Sequence, residues 1–361
     1  MIRLKGDEMQ RKKRILLIFT GGTIASGFQG KGKVVCPNNK MFKSLHSYVK
    51  NYFQDKKVEL ICQEPLGRPG EDSSNLGPEQ WIKITSIIAE ELQKGLDGVL
   101  ILYGTDTMAY LSSWLNICFP QIPIPIVITG SQLTLDYMPE DVTVNLRGAV
   151  QVVCSDFPGV WIYCNWKLIP GDRAHKAHAL HPDIFITTNG VPVYFNPDWA
   201  LKNKRRFFSS KIEYVPSDWI NKIISYNSQK IQDVCKKVGW FMCHPGVEQE
   251  LSEDKKIVCV YGFGAGNAPT RVLNYIRNFY MDKSKPCIIG CSQAEGGIKK
   301  PKYYKNVGIA WLAQDGFKVW SQMDYPIEFI HALACFSLLV SPDAPESILS
   351  KYLERPFFEG K

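Results

Sequence analysis

The 361 residues exceed what one core normally serves, and 45% hydrophobic with 22% charged is the balance of a soluble globular protein of two domains. No apolar run reaches the roughly 20 residues of a membrane helix, and residues 1–8 lack the apolar stretch of a secretory signal, so no membrane partner is expected. The net charge of +8 is a modest excess; its densest clusters, Arg11-Lys12-Lys13-Arg14 and residues 202–206, lack aromatic interleaving and read as solvated charge, with no nucleic acid expected.

In chain order, Ile15-Leu16-Leu17-Ile18-Phe19 is a β-rich apolar run that ends in a glycine-rich turn. Gly77-Pro78-Glu79 then opens a helix, with Pro78 at its first position and Trp81, Ile84, Ile88 and Leu92 on one face. Three more apolar runs follow, at 98–103, 126–129 and 159–164. Continuous apolar runs are strands buried on both faces, and their alternation with helices is the signature of a parallel α/β sheet. From 195 to 234 the pattern degrades into Asn, Lys, Ser and Asp, which reads as an interdomain connection with one helix. A second alternating region has strands at 239–242, 257–261 and 287–290 and closes with a helix over 326–339. The predicted fold class is α/β: an N-terminal doubly wound, mostly parallel sheet domain (1–200), a linker (201–237) and a smaller C-terminal α/β domain (238–361). The 11 cysteines are odd in number, scattered and without a CxxC pair, the pattern of free thiols in a reducing cytoplasm.

Ligands of a doubly wound sheet bind beyond the carboxyl ends of its strands. Three of those ends carry hydroxyl-rich turns: Thr20-Gly21-Gly22-Thr23, Gly104-Thr105-Asp106-Thr107 and Thr129-Gly130-Ser131-Gln132. Glycine permits close backbone approach, hydroxyls supply nucleophiles and hydrogen bonds, and the fold would gather all three turns in one crevice. None has the lysine or the glycine spacing of a phosphate-binding loop. His175, His178 and His181 are spaced by three and three, which does not bring them together as zinc ligands, so neither metal nor cofactor is expected.

The strand followed by TGGTIA at residues 20–25 resembles the first signature of the bacterial-type L-asparaginases. Tyr103-Gly104-Thr105-Asp106-Thr107-Met108 resembles their second, usually HGTDTM. Further matches are Asp72-Ser73-Ser74-Asn75, residues 125–132, Asn145-Leu146, Gly171-Asp172-Arg173 leading to Lys176-Ala177-His178, and Gly264-Ala265-Gly266-Asn267-Ala268-Pro269. The resemblance spans 14–340 and is closest to the cytoplasmic type I branch. It implies an asparaginase that releases aspartate and ammonia from L-asparagine, with L-glutamine as a possible side substrate. Thr23 would be the nucleophile, Thr20 a supporting hydroxyl, and Thr105, Asp106 and Lys176 the second group around the same carbonyl. Ser73, Ser74 and Asp106 would bind the substrate's α-groups. A homodimer or homotetramer is implied, with Asn267 of one subunit bordering the site of another.

The chemistry asks for such company. A threonine hydroxyl is a poor nucleophile until a neighbour takes its proton, and a lysine serves as base only when burial or cations pull its pKa well below about 10. Backbone N–H groups of the glycine turns would stabilise the oxyanion. The sequence departs from the family at Tyr103, where histidine is usual, and at the lid segment 26–35, which has no tyrosine. Asn75 replaces an acid common in type I members, and the acidic residue usually contributed by a neighbouring subunit has only Glu295 and Glu328 as candidates. Two alternatives follow. One is an asparaginase-like subunit of a tRNA-dependent amidotransferase, against which the short stretch before the first strand argues. The other is a catalytically silent metabolite-binding relative.

Overall fold

The computed structural model describes residues 11–29, 34–136, 140–155, 157–194, 217–246, 250–251, 255–294 and 308–353. The basic run at 202–206 and Glu295 lie outside them.

Strand β1 (Lys13–Phe19) leads into an antiparallel hairpin of β2 (Ser26–Gln29) and β3 (Val34–Pro37). Helix α1 (Asn39–Asn51) follows, its first N–H groups capped by the Asn38 side chain, and then β4 (Val58–Gln63). Helix α2 (Pro78–Gln93), β5 (Gly98–Leu102), α3 (Met108–Cys118), β6 (Pro125–Thr129), α4 (Val142–Val153) and β7 (Gly159–Cys164) alternate. Strand β8 (Lys167–Pro170) folds back antiparallel on β7. Strands β9 (Ala174–Lys176) and β10 (Phe185–Thr187) make a separate two-stranded ribbon, and β11 (Val193–Tyr194) pairs with β8. The 7-stranded sheet is therefore ordered β11-β8-β7-β6-β5-β1-β4, and β4 to β7 are parallel. Its order reverses beside β1, so a crevice opens between the carboxyl ends of β1 and β5.

Successive residues of β1 enter opposite faces, which is why the whole run is apolar. Ile15, Leu17 and Phe19 pack with Phe42 and Leu45 of α1 and Leu146 of α4. Leu16 and Ile18 join Trp81 and Ile88 of α2 and Trp114 of α3.

Two helices, α5 (Ser217–Ile224) and α6 (Ser228–Cys235), stand where composition suggested a connection with one helix. Their sequences are polar, but Ile220 with Ile223 and Ile231 with Val234 repeat at helical spacing and are buried. The second sheet is parallel throughout, in the order β12 (Val238–Met242), β13 (Ile257–Gly262), β14 (Cys287–Ser292), β15 (Lys318–Ser321). Helix α7 (Thr270–Phe279) connects β13 to β14, and α8 (Ile327–Val340) and α9 (Glu346–Leu353) follow β15. Helix α8 is buried on nearly every side and sits in a cluster holding Ile101 of the first sheet and Ile289 of the second. Among the described residues no helix is long and apolar enough to cross a membrane. The cysteines whose side chains are described are free thiols.

Candidate functional site

Three turns meet backbone to backbone at the head of the crevice. Glu71 N–H donates to Thr20 O (2.8 Å), and Gly22 N–H donates to Glu71 O (3.0 Å). Gly21 and Gly22 have φ of +110° and +81°, which side chains rarely adopt. A Cβ on Gly21 would stand 2.5 Å from Glu71 N, and one on Gly22 would stand 2.5 Å from Gly104 Cα. A Cβ on Gly104 would collide with the Ser73 side chain. Glycine therefore brings the turns at 20–25, 71–75 and 103–107 into direct contact.

That contact sorts the hydroxyls. Thr20 is fully buried and its Oγ1 donates to Leu102 O (2.9 Å), a structural bond that ties β1 to β5. Thr23 opens the short helical turn Thr23–Ala25 and lines a cavity of about 460 Å³. Ser73, Thr105, Asp106 and Lys176 line the same cavity. Lys176 Nζ donates to Thr105 Oγ1 (2.9 Å) and Asp106 Oδ1 (2.5 Å). Ser73 is buried; its Oγ accepts from Asp106 N–H (3.2 Å) and its carbonyl accepts from Thr107 Oγ1 (2.6 Å).

Tyr103 lies behind this arrangement and does not line the cavity. Its OH accepts from Trp81 Nε1 (3.2 Å) and donates to Thr107 Oγ1 (3.2 Å), whose own proton is used on Ser73 O. Burial pushes the phenol up to about 12, so it stays neutral. The departure from histidine thus changes packing under the 71–75 turn, through Thr107 and Ser73, and leaves the cavity wall alone.

Asp72, Gln132 and the 177–179 segment also line the cavity. Asp72 caps the turn that carries Ser73, its Oδ1 accepting from Ser74 N–H (2.8 Å). Gln132 bridges two walls: its N–H donates to Asp141 Oδ2 (2.8 Å) and its Nε2 to Ala179 O (2.5 Å). Both residues sit within sequence motifs, but spacing gave them no role, since side-chain reach is not written in spacing.

Other expected residues fall elsewhere. Ser74 is exposed and does not line the cavity, because the turn that buries Ser73 points its neighbour outward. Asn267 is exposed beyond β13, its Oδ1 accepting from Ala268 N–H (3.0 Å), and does not line this chain's own cavity. Glu328 is buried and accepts from His175 of its own chain, so it is not presented to another subunit. The lid segment forms the β2–β3 ribbon rather than an open loop, with residues 30–33 outside the described part. The three histidines diverge: His175 turns to Glu328, while His178 lines the cavity with its ring 5.7 Å from that of His181.

The cavity thus joins a hydroxyl on a glycine turn, a second hydroxyl held by an ammonium group, and carboxylates suited to a small zwitterion. A sequence profile described as Asparaginase, N-terminal matches residues 14–205. L-asparaginase 1 of Escherichia coli K12 is 32% identical over 266 residues, 72% of this chain and 73% of its own length. A component of the glutamyl-tRNA(Gln) amidotransferase of Methanosphaera stadtmanae is 28% identical over 284 residues, 74% of this chain and 60% of its own length. Of the curated relatives it matches, the chain thus spans 60% of that one and 50% of another. The thermostable L-asparaginase of Thermococcus kodakarensis superposes with a TM-score of 0.71 at 23% identity, over 95% of this chain and 97% of that one.

Proposed function

Because the chain belongs to the asparaginase family, we propose that it hydrolyses L-asparagine to L-aspartate and ammonia. The observation that carries this reading is the convergence of Thr23, Ser73, Thr105, Asp106 and Lys176 on one cavity. In the proposed reaction Lys176 serves as the neutral amine, having shed the proton it holds against Asp106, so that the Thr105 hydroxyl turns to donate to it; Thr23 Oγ attacks the side-chain amide carbon and its proton passes through Thr105 to Lys176. The proton is returned to the leaving nitrogen, which departs as ammonia, and water then frees aspartate from the β-aspartyl ester. Gly22 N–H is already used by Glu71 O, so the oxyanion would be met by other backbone N–H groups of the glycine turns. Ser73 and Asp106 bind the substrate's α-carboxylate and α-ammonium, and Asn267 serves the site of a second copy in a homo-oligomer. The enzyme needs no metal or cofactor and works in the cytoplasm.

A second reading is favoured by the relatives named as amidotransferase components: the same site would then release ammonia from glutamine for a tRNA-bound acceptor. One assay separates the readings. Wild type should release ammonia from L-asparagine, and Thr23→Ala should lower kcat by at least about 10³-fold. Release that survives Thr23→Ala overturns the nucleophile. RNA-dependent release from glutamine favours the second reading, and no release from millimolar asparagine favours a silent binding protein.

A further inference from the structure

We infer that His175 and Glu328 are positioning residues whose hydrogen bond holds Lys176 in the cavity from the opposite side of its strand. The inference rests on the role proposed for Lys176. Strand β9 is three residues long and its ladder partner is the equally short β10. A two-stranded ribbon of this size does not fix its own position in water, so side-chain anchors must place it.

The anchor on the cavity side is weak. Asp106, the carboxylate paired with Lys176, is 57% exposed, and ion pairs so open to solvent contribute little, which leaves the single hydrogen bond to buried Thr105. The anchor on the other side is deeper: the His175 side chain is 36% exposed, but the carboxylate it meets is buried. Adjacent strand residues point to opposite faces, so Lys176 facing the cavity directs His175 towards α8. There His175 Nδ1–H donates to Glu328 Oε1 (2.8 Å). Glu328 is 4% exposed, in the first turn of α8, where the helix dipole favours a carboxylate. Among the described residues this is the one hydrogen bond to its side chain, and the other oxygen, Oε2, is buried without a partner. A buried carboxylate stripped of its donor is costly, so the bond is held firmly.

Neighbouring contacts tie the same segment to the same place. Arg173, fully buried, stacks 4.0 Å from the centre of the Tyr325 ring and lies 3.5 Å from Asp324 Oδ1. Asn189 Nδ2 donates to Asp324 O (2.8 Å). The partners that anchor this segment, Asp324, Tyr325 and Glu328, therefore come from the second half of the chain, though the cavity is built from the first.

The test uses the full chain with His175→Ala, and with His175→Asn, which keeps an N–H donor near the Nδ1 position. For His175→Ala, kcat for ammonia release should fall roughly 10- to 100-fold with KM within about twofold, because the lysine is misplaced while substrate contacts remain. His175→Asn should recover most of the loss. Hydrogen exchange of a peptide covering 172–178 should speed up in His175→Ala and return towards wild type in His175→Asn. Unchanged exchange in His175→Ala overturns the inference. So does faster exchange with unchanged kcat, or a loss confined to KM. A wild type that releases no ammonia refutes the asparaginase reading instead, and exchange alone then decides whether the tether exists.

Discussion

Gly22 separates two threonines that spacing alone does not rank. Thr20 is used to hold β1 against β5, and Thr23 is left to the cavity, because the chain between them takes conformations that only glycine tolerates. Gly22→Ala should therefore do more than strain one residue. Its Cβ would press on Gly104 Cα, so the variant should lose most ammonia release and several degrees of melting temperature. Gly67→Ala is the control: φ is +77° there but a Cβ would meet open space, so the cost should be only the conformational strain, about 1–2 kcal/mol, with activity retained. Thermal melts and ammonia assays on both variants check this; equal effects would refute the contact argument. The threonine turns were legible as residues at strand ends. Lys176 was legible only through resemblance, because no spacing rule brings residue 176 beside Thr105. The locations of Ser74 and Asp72 were not legible, since the rotation of a three-residue turn decides which of its neighbours faces inward.

At the scale of elements, α8 shows what burial on all sides does to a polar residue. His331 lies in its interior, where the ring accepts from Trp240 Nε1 (3.1 Å) and burial pulls its pKa down from 6.5 to about 4. Between those two values the unfolded chain holds more protons than the folded one. Stability from this group is therefore complete above about pH 6.5 and falls as pH drops towards 4, by about 3 kcal/mol in all. His331→Gln keeps an acceptor for Trp240 but does not titrate, so its urea midpoint should change less between pH 7 and pH 4.5 than that of wild type. Parallel pH slopes would refute this. Elements with continuous apolar runs, β1, β5, β6 and β7, were legible because both their faces are covered. Strand β4 was not: at the sheet edge its residues are only partly buried or exposed and polar ones interrupt the apolar ones, so it has no such run. The β9–β10 ribbon was invisible for a related reason, being too short to carry a period.

For the whole molecule, one buried cluster takes in side chains from both sheets, with Trp114 of α3 edge-on to Phe336 of α8 at 5.7 Å. Two sheets sharing one core should unfold together. Calorimetry should give a single transition, and Phe336→Ala, which opens that core, should lower its midpoint without splitting it, at about 3–5 kcal/mol. Two separate transitions in wild type would overturn this. The two alternating regions of sequence predict two sheets, and each region holds one of the two larger sheets among the described residues, beside two 2-stranded ribbons. Their union was not legible, because the helices that join them, α5, α6 and α8, look respectively like connection, connection and ordinary core.

The meeting of three turns at their backbones has one more consequence. Each loop's length there is fixed by the other two, as the depth of one gear tooth is fixed by its neighbours. Relatives of this chain are free to exchange side chains around the cavity, but a residue added or removed at 20–22, 70–73 or 103–105 would slide one backbone past the next and close the crevice. Insertions should therefore collect in segments that touch neither neighbour, and the history of this site should be one of substitution.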